Sequence, residues 1–206
     1  MDLPISIIAI LISAGTAWFT IFHRGTVKMS RPNFFALIPE DSPFGGWLKF
    51  FMRVLLFSTG KRGRVIERIY LNFKHDQQTF QFHYWMYGQA EQLVIGSGVF
   101  VGSDGVGANH HFVPTSSLSS QAITAGLYEV EIHAHLLGDK RPILLHTIHF
   151  ELNEEEAAAI RTSKDKAVFF TWDEESQKYK SRIDRRRSKG HARSVSGSGE
   201  GPFSWE

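Results

Sequence analysis

Four titratable side chains, Glu129, Glu131, His133 and His135, recur at every second position of one stretch in a chain that has ten histidines and no cysteine. In an extended strand such residues share a face at spacings of about 6.5 to 7 Å. Imidazoles and carboxylates are ligands for zinc and similar ions. Metal ligands must converge at about 2 Å, so one strand alone seldom suffices and a second must contribute. A hairpin centred on residues 138–142 is expected to set Glu131 opposite His149 and His133 opposite Thr147. Glu131, His133, His135 and His149 are therefore the candidates for a metal site, and a metal-dependent hydrolase is one reading of the chain. The wet face of any antiparallel sheet gives the same pattern. That reading is preferred, so no cofactor, metal or catalytic residue is assigned. His146 falls on the apolar side of the returning strand, where a hydrogen-bonded core histidine is expected.

A second cluster, Asn109, His110 and His111, follows a glycine-rich stretch, residues 102–107, that contains Asp104. Strand alternation sends His110 and His111 to opposite faces, which weakens joint action. No Gly-x-Ser-x-Gly motif accompanies them. Gly96-Ser97-Gly98 lies within a strand pattern, where glycines mark a bulge or a close backbone approach. No helix follows it, as a dinucleotide fingerprint requires, and Gly60-Lys61 lacks the upstream glycine and the following Ser or Thr of a phosphate loop.

The elements that must position these residues begin with an apolar segment, residues 3–22, twenty residues without a charge. At about 1.5 Å per residue a helix of that length spans a hydrocarbon core of about 30 Å. The basic residues Arg24, Lys28 and Arg31 all follow it, which places the N-terminus outside and the body in the cytoplasm. Only Met1 and Asp2 precede the run, so a retained anchor of the inner membrane is expected rather than a cleaved signal. Trp18 and Phe22, with Arg24 beside them, fall at the inner interface, and Ala9, Ser13 and Ala17 form a small-residue stripe through which two such helices can pack.

Residues 47–57 form a second apolar stretch, too short to span a bilayer. Lys49 and Arg53 are spaced i and i+4, which reads as a narrow cationic stripe on a short amphipathic helix. With Trp47 at its start, that helix suits either the membrane surface or a place against the body. Pro32, Pro39, Pro43 and the Gly45-Gly46 pair make residues 25–46 read as a connector.

Beyond Arg64 the pattern turns to alternation, with strands expected over residues 65–73, 79–87, 93–101, 108–113, 127–137, 143–152 and 167–172, and an edge strand over 179–183. Residues 75–78 supply a turn. Asn153, followed by Glu154, Glu155 and Glu156, predicts a capping box opening a short helix. With 42% hydrophobic residues and 17 phenylalanines, about 140 residues suffice for one core without disulfides. The run Gly126-Leu-Tyr-Glu-Val-Glu-Ile132 followed by a hairpin resembles the closing strands of immunoglobulin-like sandwiches, with Tyr128 similar to their corner tyrosine. The layout of anchor, residues 58–67, residues 96–102 and residues 109–112 also resembles small uncharacterised bacterial single-pass membrane proteins, a likeness that implies no activity.

The expected organisation is an anchor over residues 1–24, a connector and membrane-proximal amphipathic helix over 25–60, and an antiparallel immunoglobulin-like β-sandwich over 61–184. A basic, Ser/Gly-rich disordered tail follows over 185–206. The function expected is a non-enzymatic interaction or ligand-binding module held at the inner membrane. Its partners would be the lipid bilayer and a protein, or a second copy of the chain. Nucleic acid is not expected as a partner: of the three basic clusters, Arg24 to Arg31, Lys61 to Arg64 and Arg185 to Lys189, the first two sit beside the membrane. A membrane effector, in which ligand binding drives assembly of the transmembrane helices, is the alternative to the tethered module.

Overall fold

The computed structural model describes residues 2–18, 25–39, 48–87, 93–95, 98–115 and 118–185. Among the described residues two α-helices, α1 (Asp2–Ala17) and α2 (Glu154–Thr162), and one short 3-10 turn (Ser120–Ala122) accompany twelve strands. The strands are β1 (Val27–Met29), β2 (Phe34–Pro39), β3 (Leu48–Ser58), β4 (Arg64–His75), β5 (Gln78–Tyr87) and β6 (Leu93–Ile95). They continue with β7 (Val99–Val101), β8 (Val106–Pro114), β9 (Gly126–Leu136), β10 (Ile143–Leu152), β11 (Lys166–Asp173) and β12 (Lys178–Arg185). All belong to one hydrogen-bonded sheet in the order β10-β9-β4-β5-β8-β3-β2-β11-β12, with β1 added to β3, β6 to β5 and β7 to β4. Every pairing is antiparallel.

Alternation dictates which face closes. In β9, Tyr128, Val130, Ile132, Ala134 and Leu136 are buried while the residues between them are exposed or half-exposed. Matching positions of the other long strands supply Leu71, Phe73, Phe82, Phe112, Phe50, Met52, Phe35 and Phe170 to the same core. Each such side chain gains roughly 1.5 to 3 kcal/mol on leaving water. Phe35 of β2 stacks on Phe170 of β11 at 4.6 Å and on Phe50 of β3 at 5.2 Å, and meets Phe150 of β10 at 5.2 Å. Phe150 lies near one end of the strand order and Phe170 near the other, and their rings are 4.8 Å apart. The sheet therefore curls on itself, nearly into a barrel, and its two ends face each other across the core.

Three expectations require correction. The stretch read over residues 47–57 is not an amphipathic helix over its described residues, 48–57: β3 runs from Leu48 to Ser58, with Leu48, Phe50, Met52, Val54 and Leu56 buried. A spacing of four places Lys49 and Arg53 on one face of a helix and equally on one face of a strand, so it cannot separate the two. The connector is also not a connector. β1, β2 and β3 bring the described residues of this range, 25–39 and 48–60, into the sheet body, and Phe35, Leu37, Phe50 and Met52 are among its most deeply buried residues. Its described prolines sit where a ladder tolerates them: Pro32 precedes β2 and Pro39 ends it, while Pro43 lies outside the described residues. Residues 93–101, read as one strand, divide into β6 on β5 and β7 on β4, with Gly98 at φ +74° ahead of β7.

The capping box is as expected. The Asn153 side chain accepts from the Glu156 N–H at 2.9 Å, and the Asn153 N–H donates to the Glu156 carboxylate at 2.9 Å. At the same end of the sheet, where Leu152 stands opposite Gly126, the Tyr128 hydroxyl donates to the Thr124 carbonyl at 2.7 Å and accepts the Thr124 N–H at 3.1 Å. The His75 ring stacks on Tyr128 at 4.1 Å and donates from Nδ1 to the Leu127 carbonyl at 3.0 Å. Gly126, at φ +143°, passes so close to this ring that a Cβ would lie 2.7 Å from His75 Cε1, and so the corner requires glycine.

Candidate functional site

The alternating acids and histidines of β9 lie on the outer face of the sheet, between β10 and β4. The hairpin register differs from the expected one. Thr147 stands opposite Glu131, His149 opposite Glu129 and Leu144 opposite His133, with a bulge between Leu144 and His146. The Asp139 N–H closes a turn on the Leu136 carbonyl at 3.0 Å, with Gly138 at φ +84°, so the last residues of β9 pair with β4 rather than with β10.

Lys74 of β4 organises this face. Its Nζ lies 2.9 Å from Glu129 Oε1 and 2.7 Å from Glu131 Oε1. Hydrogen bonds that it donates to Glu131 and then to Glu129 hold the Lys74 ammonium above its ordinary value, and Lys74 in turn holds the Glu131 carboxyl below the usual range. His133 Nε2 is 3.3 Å from Glu131 Oε2, and the His133 ring stacks on Tyr70 of β4 at 5.2 Å. His135 Nδ1 meets Glu67 Oε2 at 2.8 Å. His149, 69% exposed at the side chain, stands 3.8 Å from Glu129. The acids and imidazoles are thus distributed along a ladder of cross-strand pairs. Among the described residues no group of three or more His, Asp or Glu is placed to hold a metal ion. A lysine already sits where a cation between Glu129 and Glu131 would bind. Lys74 left no local signal in the sequence, because its partners lie 55 and 57 residues further on.

The other candidates are dispersed. His110 packs on the core face beside Tyr84 and Phe112 and donates from Nδ1 to the Ala108 carbonyl at 2.9 Å. Burial pushes it down to about 4. His111 faces the other way, against Phe51 at 5.0 Å, and Asp104 is exposed in the turn ahead of β8. His146 is half-buried, and burial and then Arg31 lower its affinity for a proton. Lys49 is buried and Arg53 exposed on the outer face of β3, and Trp47, Phe22 and Arg24 lie outside the described residues.

Helix α1 is the other candidate surface. Every described side chain from Pro4 to Ala14 is exposed, including Ala9, Ser13 and a row of isoleucines, with Ile5 and Ile10 each 67% exposed; Ala17 is half-buried and Trp18 exposed. Over its sixteen residues α1 carries no basic group and one acid, Asp2. Among the described residues no helix is long and apolar enough to cross a membrane; the expected span of residues 3–22 runs past the described end of α1.

Comparisons of the chain with protein-family models, with curated proteins and with solved structures find no match.

Proposed function

We propose that the chain is a membrane-tethered, non-enzymatic interaction module. In this reading α1 and the residues after it insert in the inner membrane, and the β-sheet body is held at the cytoplasmic face. The observation that carries this is the exposed apolar surface of α1. Ile5, Ile7, Ile8, Ile10, Leu11 and Ile12 are all more than half exposed. Each would gain roughly 1.5 to 3 kcal/mol on transfer out of water, and a bilayer supplies that environment over the whole helix circumference. The side on which the body lies follows from the basic residues that come after the apolar segment. Ala9, Ser13 and Ala17 offer a face for pairing with a second copy.

For the body, the immunoglobulin-like reading draws support from Tyr128, whose hydroxyl returns to the Thr124 backbone four residues upstream, as a corner tyrosine does. A binding rather than a catalytic role is supported by the polar face, whose carboxylates are engaged by Lys74 and by histidines.

Reporters fused to the C-terminus test insertion and direction together. A fluorescent protein that folds only in the cytoplasm should be bright and an exported phosphatase inactive. An active phosphatase would place the body outside and overturn the orientation.

A further inference from the structure

We propose that the end of the β-sheet body at which the chain enters, at Gly25, docks on an anionic bilayer surface, with Phe100 and Leu137 entering the headgroup layer between Lys61, Arg62, Lys140 and Arg141. This rests on the reading of α1 as an anchor and adds a second, electrostatic contact with the same membrane.

Four segments distant in sequence meet at this end. The chain enters the body at Gly25, which at φ +63° packs against the backbone of Gly60 in the β3–β4 turn. The Thr59 N–H donates to the Thr26 carbonyl at 2.8 Å, and the Ser58 N–H donates to the Gly102 carbonyl at 2.9 Å, which ties in the β7–β8 turn. Arg64 bridges the remainder: its guanidinium donates to the Gly25 carbonyl at 3.0 Å and pairs with Asp139 of the β9–β10 turn at 2.7 Å. Leu137, from the same turn, donates its N–H to the Val65 carbonyl at 2.9 Å.

Two apolar side chains stand on this end without burial, Phe100 at 62% exposed and Leu137 at 55%. The Phe100 ring lies over Gly63, where a Cβ would come within 2.6 Å of it, so the β3–β4 turn is shaped to carry the ring. Lys61, Arg62, Lys140 and Arg141 are all exposed around them. The acids of these turns are Asp139, already bonded to Arg64, and Asp104. Cations flanking an exposed aromatic ring and an aliphatic side chain match a surface of anionic headgroups over hydrocarbon. The approach is enforced by connectivity, because Gly25 lies seven residues after Trp18.

The chain has no cysteine, so Ser103→Cys in the β7–β8 turn gives a single labelling site. The full chain carrying a polarity-sensitive fluorophore there is reconstituted in vesicles of phosphatidylcholine alone, or of phosphatidylcholine and phosphatidylserine in equal parts. Flotation reads the anchor, and shielding from an aqueous quencher reads the docking. The label should be shielded on the anionic vesicles, exposed on the neutral ones, and released by high salt. Lys61→Glu with Lys140→Glu should lower the docked-to-undocked ratio by more than about tenfold. Lys164→Glu with Lys166→Glu, where β11 begins at the opposite end of the sheet, should leave it unchanged. A chain that floats with both vesicles while its label stays equally exposed, or equally shielded, overturns the electrostatic docking and leaves the anchor standing. A chain that does not float with phosphatidylcholine overturns the anchor, and the docking that depends on it falls too.

Discussion

Replacing Phe35 by alanine is expected to destabilise the body by about 3 to 5 kcal/mol, the cost of removing a fully buried phenylalanine and leaving a cavity. Phe35 is 0% exposed and touches rings from both ends of the strand order: Phe170 and Tyr179 on one side, Phe150 on the other, with Phe50 between. The curled sheet cannot collapse onto such a gap without moving several strands at once. Urea unfolding of the full chain in mild detergent, followed by tryptophan fluorescence, gives the number. Phe100→Ala, which alters an exposed ring, should stay within about 0.5 kcal/mol in the same assay. A loss of that small size for Phe35→Ala would return residues 25–60 to the status of a linker.

Stability should also fall steeply between pH 6.5 and 4, with His110 responsible for much of the slope. Burial lowers His110 from 6.5 to about 4 in the folded chain, so over that interval the unfolded state takes up the proton more readily than the folded state. The stability lent by the neutral ring is complete above pH 6.5, is lost progressively as the pH falls, and is gone below about 4. The difference amounts to about 3 kcal/mol. His110→Leu removes the titrating group while filling the space beside Tyr84 and Phe112, so its stability should depend less on pH over this interval by about that amount. His83 and His146 are displaced in the same direction, chiefly by burial, and retain their part of the slope in the variant. Equal slopes for the two proteins would mean that His110 is hydrated in the folded state.

The regions legible in the sequence were those where a local rule acts alone. In β9 strict alternation separates Tyr128, Val130 and Ile132 from Glu129, Glu131 and His133, and Asn153 with Glu156 announces α2 by a bond pattern closed within four residues. Residues 47–57 read as a helix because a hydrophobic run holding two cations four apart fits both periods. What decides for a strand is pairing with β2 and β8, and β8 begins nearly fifty residues later. The register of β9 on β10 was misjudged because the bulge after Leu144 and the early departure of β9 towards β4 are properties of three strands, not of a hairpin. The polar face was visible from β9 alone, but its organising residue, Lys74, enters from a strand that local spacing does not connect to it. The cluster of turns around Gly25, Gly60 and Asp139 is likewise a product of topology: the turn at residues 138–142 and the glycine-rich stretch 102–107 are each visible in the sequence, but their meeting is not.

Helix α1 as the tether can be tested by washing membranes from cells that express the full chain at alkaline pH, and by comparing a chain that lacks residues 1–22. The full chain should remain in the pelleted membranes after the wash and be released only by detergent. The shortened chain, whose sheet keeps every described strand, should move to the soluble fraction, or at least become extractable by salt if the basic end alone still touches lipid. A full chain released by the alkaline wash would contradict insertion of the helix.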